Sequence, residues 1–229
     1  MEENGKKISC VIPSFNEGPR IEAVLDVVHD HHLIDEVIVV DDASKDNTVE
    51  IVKTFRRVKL LIHKENTGKS RAVVDGITAS SGDIIFLLDA DLIGLTAQSI
   101  SDLIEPVLKG TADLGTSLRT NSPWIFKKIG LDYISGERVF SRELVEDHLA
   151  RMAGLPRFGL EVYMNNLIIK NKYRIKVVYW GGVISPWPHK KRRFLRGLKA
   201  FFLMNLDILR TVSVFEVIRQ ILQMRLLRV

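Results

Sequence analysis

Short runs of strand-forming residues alternate with helix-patterned segments through the first half of the chain, and this alternation leaves few architectures open. Strands are expected at about residues 7–13, 36–41, 58–62, 84–89 and 112–117, with helices near 20–30, 47–56, 69–80 and 97–109. The order β-α-β-α-β-α-β-α-β is that of repeated βαβ units, which build a parallel sheet. The run Ile84-Ile85-Phe86-Leu87-Leu88 has no polar face. A strand apolar throughout is covered on both sides, so the predicted fold is α/β, a mostly parallel sheet sandwiched by helices. Sheets of this kind bind ligands beyond the carboxyl ends of their strands.

The second half is less regular. A strand is expected around Glu137–Phe140, a helix near 142–152, a break at Gly154-Leu155-Pro156, a helix from about Gly159 to Lys170 and a strand at Arg174–Tyr179. Gly181-Gly182 and Pro186-Trp187-Pro188 then form a loop. A length of 229 residues fits one domain with an appendage: residues 1–190, divided near 117 into two halves, and a tail of residues 191–229.

Charge is unevenly placed. Residues 190–229 carry ten Lys or Arg against Asp207 and Glu216, a balance of +8, so the remaining 189 residues are near −3 although the whole chain is +5. Two stretches of this tail have helical apolar spacing, one from Arg193 through Leu206 and one from Val214 to Leu227. Such basic amphipathic helices can lie on an anionic membrane, on the domain itself or on a second copy of the chain, and amphipathicity does not choose among these. No uncharged stretch has the length of a membrane span, and the N-terminus has no segment of signal-peptide type. The single cysteine, Cys10, excludes an intrachain disulfide and reads as a small buried hydrophobe. The expected location is cytoplasmic, with peripheral contact at the membrane's cytoplasmic face. A nucleic-acid partner is not expected, because the basic run Lys190–Arg193 has no aromatic platform beside it. His29, His31 and His32 are expected at the surface and not as a zinc site.

Four segments that converge at the carboxyl edge of the predicted sheet carry polar chemistry. They are Pro13-Ser14-Phe15-Asn16-Glu17, then Asp41-Asp42-Ala43-Ser44-Lys45-Asp46-Asn47-Thr48, then Asn66-Thr67-Gly68-Lys69-Ser70 at a helix start, and Asp89-Ala90-Asp91. Hard cations such as Mg²⁺ or Mn²⁺ take oxygen ligands, and Mg²⁺ usually takes one or two carboxylates plus substrate phosphates. Asp89 and Asp91 suit such a cation, Lys69 and the amides at its helix start suit an anion, and Asp42 can accept from a base N–H or a ribose hydroxyl. Gly68-Lys69-Ser70 has the ending of a phosphate-binding Walker loop, but His63 stands where that loop requires glycine.

These segments resemble the family two glycosyltransferases, nucleotide-sugar-dependent enzymes of the GT-A (Rossmann-like) fold. The resemblance rests on Val11 to Glu17, Val39 to Thr48, Asn66-x-Gly68-Lys69, Gly82-Asp83 and Leu88 to Asp91, in the family's order. It implies that Pro13, Phe15, Glu17, Asp42, Lys69 and Asp89 bind the nucleotide part of a UDP- or GDP-sugar, with Asp89 and Asp91 at a Mg²⁺ or Mn²⁺ ion. His189 is a candidate third ligand. Glu161, at a helix start in Phe158-Gly159-Leu160-Glu161, is the candidate catalytic carboxylate beside Asp91. It is a general base if the acceptor is a hydroxyl. The chain is also similar to polyprenyl-phosphate glycosyltransferases such as dolichol-phosphate mannose synthases, whose acceptor is a phosphate that needs cationic positioning and no base. Arg119, Ser135 and Arg138 are the expected acceptor contacts, with Arg142 nearby in sequence. A soluble hydroxyl acceptor, or a non-catalytic nucleotide-sugar-binding protein, is the alternative. A nucleotidyltransferase would want a glycine-rich loop where Pro13 to Glu17 stand.

Overall fold

The computed structural model describes residues 5–156, 158–186 and 213–229. A seven-stranded sheet runs in the order β3-β2-β1-β4-β6-β5-β7, built from β1 (Ile8–Ser14), β2 (Glu36–Asp41), β3 (Val58–Ile62), β4 (Ile84–Leu87), β5 (Leu114–Arg119), β6 (Arg138–Ser141) and β7 (Ile175–Trp180). Between them lie α1 (Gly18–Val28), α2 (Thr48–Val52), α3 (Lys69–Ala79), α4 (Ala97–Leu108), α5 (Trp124–Ile129), α6 (Leu149–Met152) and α7 (Gly159–Lys170), and α8 (Val214–Leu226) follows β7. The predicted mostly parallel α/β sandwich is what forms. β6 departs from it, inserting antiparallel between β4 and β5.

Alternate residues of the central strands are buried on opposite faces, which is why these strands show no polar face in sequence. Cys10, Ile12, Val39 and Phe86 pack with Ile21, Val24 and Leu25 of α1 and Ile100 and Leu103 of α4. Val11, Ile85 and Leu87 pack on the other side with Val73 and Ile77 of α3 and Met164 and Ile168 of α7. Helix α3 comes so close to β1 that a Cβ at Gly76 would stand 2.4 Å from Val11 Cγ1. Glycine at this position sets the depth of α3 and therefore the placement of its first residue, Lys69.

Several local expectations are corrected. The helix read near 142–152 is two 3-10 turns and the short α6, and Arg142 at its start donates to Gly82 O, Ile77 O and Ser80 Oγ. Its guanidinium is therefore spent on the scaffold. Helix α5 was not anticipated. His31 is buried, not superficial, with Nε2 3.0 Å from Ala97 O. The tail helix α8 packs against the domain through buried Gln220 and Met224, with Arg219 donating to Asn166 Oδ1. The last residues then meet β7, where Ile175 N donates to Leu227 O and Val229 N to Ile175 O. The earlier tail helix, Arg193 through Leu206, lies outside the described residues, as do His189 and Lys190–Arg193.

Candidate active site

The parallel register sets Ser14 beside Asp41 and Val11 beside Leu87, so β1, β2 and β4 end side by side. Their loops deliver Pro13, Phe15, Glu17, Asp42, Asp89 and Asp91 to one open cleft of about 470 Å³, with Asn66, Gly68 and Lys69 forming another wall. The loops after β1 and β2 are tied together: Asn16 N donates to Ser44 Oγ, Lys45 N to Asn16 Oδ1, Glu17 N to Thr48 Oγ1 and Gly18 N to Asp46 Oδ2. Two non-glycine residues here hold left-handed backbone, Asn16 at φ 55° and Ala43 at φ 63°. Asparagine tolerates that conformation, whereas alanine pays about 1 kcal/mol for it.

Asp42 is buried beneath the cleft. Its Oδ1 accepts from Thr67 N at 2.8 Å and lies 2.8 Å from His63 Nδ1, while Oδ2 accepts from Gly68 N at 2.8 Å. Burial alone would push this carboxyl up. The amide of Thr67, His63 and the amide of Gly68 outweigh it and hold Asp42 below the usual carboxylate range. Asp42 thus fixes the loop that starts α3, in addition to lining the cleft. The other ring nitrogen of His63 stands 3.1 Å from Asp75 Oδ2 without hydrogen-bond geometry.

The paired aspartates at the tip of β4 have unlike surroundings. Asp89 Oδ1 accepts from Lys69 Nζ at 2.8 Å, and Arg119 Nη1 lies 3.8 Å from its Oδ2. Burial opposes ionisation, but these two cations hold Asp89 below its ordinary value. Arg119 in turn donates to Glu137 Oε1 at 2.5 Å, and the fully buried Glu137 takes Ser117 Oγ and Ser135 Oγ on its other oxygen. Asp132 stands 4.0 Å behind Arg119 and accepts from Ser122 Oγ; its burial raises it. Asp91, by contrast, has no ion-pair partner among the described residues. It accepts from Ser185 Oγ at 3.0 Å, and burial together with the Asp89 charge pushes it up to about 6.

Asp91 therefore offers carboxylate oxygens at an open cleft with no ion-pair partner among the described residues. That arrangement fits a hard divalent cation. Among the described residues no cluster of three or more His, Cys, Asp or Glu side chains could hold a metal.

Glu161, in the first turn of α7, lines a small pocket beside the cleft together with Lys69 and Asp89. Its Oε1 lies 3.4 Å from Lys69 Nζ, and its buried Oε2 has no hydrogen-bond partner among the described residues. Lys69 thus bridges Asp89 and Glu161. Arg138 behaves otherwise than expected: it is 1% exposed and gives its donors to Ser135 O, Asn165 Oδ1 and Tyr133 O. It is an internal tie between β6 and α7, with three of its five N–H groups committed inside the fold. Ser135 is likewise buried, in the Glu137 network, while Arg119 keeps partial exposure beside Asp89. Glu137, Asp132, His63 and Ser185 were not singled out by sequence. An acid preceding the apolar β6 was the one available signal for Glu137.

A parallel α/β sheet with a carboxylate-floored cleft at its switch point is the frame of a nucleotide-sugar enzyme of the GT-A type. Residues 9–157 match the family model described as Glycosyl transferase family 2, and the chain belongs to that family. It is 37% identical over 94 residues to the dolichyl-phosphate beta-glucosyltransferase ALG5C of Trichomonas vaginalis, covering 35% of this chain and 28% of that protein. It is 33% identical over 117 residues to glucosyl-3-phosphoglycerate synthase of Mycobacterium tuberculosis, covering 46% and 35%. The crystal structure of that synthase with Mn²⁺, UDP-glucose and phosphoglyceric acid matches with a TM-score of 0.66 at 26% identity, over 86% of this chain and 75% of that one. The chain thus spans well under half the length of these two curated relatives.

Proposed function

We propose that this chain transfers a sugar from a UDP-sugar to a phosphate-bearing acceptor, a polyprenyl phosphate at a membrane surface. The observation that carries this reading is the unequal pair at the tip of β4: Asp89 faces Lys69 and Arg119, whereas Asp91 has no ion-pair partner among the described residues and accepts only from Ser185 Oγ. Asp91 and Asp89 would hold Mg²⁺ or Mn²⁺ together with diphosphate oxygens of the donor. An ion held by these two carboxylates would supply positive charge to the departing nucleoside diphosphate. Phe15, 43% exposed at the rim, offers a ring face to the nucleobase. Pro13, Glu17 and Asp42 shape the nucleoside end, and Lys69 fixes Asp89 and Glu161 at the sugar end.

The acceptor side favours an anion that is already a nucleophile. Glu161 is paired with Lys69, and a phosphate oxygen needs no proton removed before it attacks. Relatives named as dolichyl-phosphate and undecaprenyl-phosphate transferases support a lipid phosphate. The match to a synthase crystallised with phosphoglyceric acid keeps a soluble phosphate acceptor as the second reading.

No helix among the described residues is long and apolar enough to cross a membrane. Helix α8 instead leaves Phe215, Ile218, Leu222 and Leu226 exposed at helical spacing, with Arg225 in its last turn, which suits an interfacial position on the cytoplasmic face. Flotation with anionic vesicles checks this contact, and a dimer in solution without vesicle binding would assign the stripe to a second copy.

The test of the reaction is a screen of UDP- and GDP-sugars with Mn²⁺ by thermal shift, followed by transfer to a polyprenyl phosphate in detergent. Product that disappears with Asp91→Asn supports the proposal. Nucleotide binding without turnover on any acceptor would leave a non-catalytic nucleotide-sugar-binding module.

A further inference from the structure

We infer that Gly136 is a positioning residue for the donor site, because its missing side chain is the space that the Asp89 carboxylate occupies. The β4–β6 ladder pairs Ile84 with Ser141 and Leu87 with Arg138. Continued two residues past its end, the same register sets Asp89 opposite Gly136. A Cβ on Gly136 would stand 2.6 Å from Asp89 Oδ2, 2.8 Å from Oδ1 and 2.9 Å from Cγ. All three are well inside van der Waals contact. Gly136 is absent from the residues with positive φ, so its backbone does not call for glycine. Space alone does.

The neighbours of Gly136 show why this space matters. Glu137 holds Arg119, whose guanidinium faces Asp89 Oδ2, and Lys69 meets Asp89 Oδ1 from the opposite wall. The carboxylate therefore lies flat over the bare Cα with a cation at each side. The three atoms that a methyl group at position 136 would meet first all belong to the movable end of Asp89, so the fold can absorb it by turning that side chain away. The cost falls on the site: Asp89 leaves Lys69, Lys69 is left to Glu161, and the two aspartates lose their common orientation. This inference rests on the donor-site reading above.

The experiment compares the full chain as wild type, Gly136→Ala, Asp89→Ala and the double variant, measuring both Tm and the affinity for UDP in the presence of Mn²⁺. Gly136→Ala is expected to weaken UDP by about tenfold or more while remaining folded. In the wild-type background its Tm should fall or stay level. In the Asp89→Ala background the clash is gone, and the same change should raise Tm by about 2 °C, as loss of unfolded-state freedom predicts. Equal Tm changes in both backgrounds, or unaltered UDP affinity in Gly136→Ala, would overturn the assignment. A Tm difference between backgrounds in a wild-type chain that binds no UDP would instead overturn the donor reading and leave Gly136 as the residue that places Asp89.

Discussion

Lys69 reaches from the first turn of α3 to Asp89 at the tip of β4, Nζ to Oδ1 at 2.8 Å, and the same ammonium stands 3.4 Å from Glu161 on α7. One cation thereby links the tip of β4 to the first turn of α7. Both carboxylates raise the Lys69 pKa against the opposing effect of burial, Asp89 more than Glu161. It stays charged across the physiological range. Replacing Lys69 with Met keeps its length and removes this link, and the expected result is a fall in kcat/KM of about a hundredfold, or about 2.7 kcal/mol. Steady-state kinetics on the best donor checks it; a change confined to acceptor KM would place Lys69 on the acceptor side alone.

Asp91→Asn removes a carboxylate crowded by burial and by Asp89. The variant should lose Mn²⁺-dependent UDP binding yet match or exceed the wild-type Tm measured without metal, since catalytic carboxylates often sit where they cost stability. Calorimetric titration with UDP and Mn²⁺, beside a melting curve in chelator, decides both parts.

The carboxyl of Asp42 is held below its ordinary value, so the folded state binds its proton more weakly than the unfolded state does. Its contribution to stability is thus fully present above about pH 4 and is lost as pH falls through the folded value. Asp42→Asn turns an acceptor toward the amides of Thr67 and Gly68 into a group with half its acceptors, at an expected cost of about 1–3 kcal/mol at neutral pH. That cost should shrink in acid. Urea unfolding at pH 7 and at pH 3 measures the difference.

Arg138 gives its donors to three acceptors inside the fold, and burial lowers its pKa before the charges of Glu161, Asp132 and Glu137 partly restore it. Arg138→Met should destabilise the chain by about 3 kcal/mol by orphaning these acceptors. A folded variant with wild-type Tm and a raised acceptor KM would return Arg138 to the acceptor role that its sequence neighbourhood implied.

Ala43, at φ 63° between Asp42 and Ser44, carries backbone strain that glycine would relieve. Ala43→Gly should raise Tm by about 2–4 °C. A lower Tm would mean that its methyl group makes a contact worth more than the strain.

The first half of the fold was legible because β1, β2 and β4 are buried on both faces, which leaves uninterrupted apolar runs, and because the polar loops between them sit at fixed offsets from those runs. The cleft followed from the same spacing: Asp89 and Asp91 had to emerge where β4 reaches the surface. β6 could be seen as a strand but not placed, since four residues beginning with Arg138 carry no signal for slipping antiparallel between β4 and β5. That insertion is what buries Arg138 and brings Glu137 beneath Arg119. Arg138, expected from sequence at the acceptor, is for that reason 1% exposed and hydrogen-bonded within the fold. Helix α5 was missed because six residues, Trp124–Ile129, are too few to establish a period and none of them is buried. Ser185 meets Asp91 across 94 residues of chain, a distance over which no spacing rule operates.

The four hydrogen bonds that stitch the segment after β1 to the segment after β2 make one stiff jaw out of two connections. A visiting nucleoside would find that half of its berth assembled beforehand, and little chain entropy would remain to be surrendered on docking. Nucleotides should then associate quickly and with a small heat-capacity change, and any slow rearrangement is expected on the opposite bank, around α7.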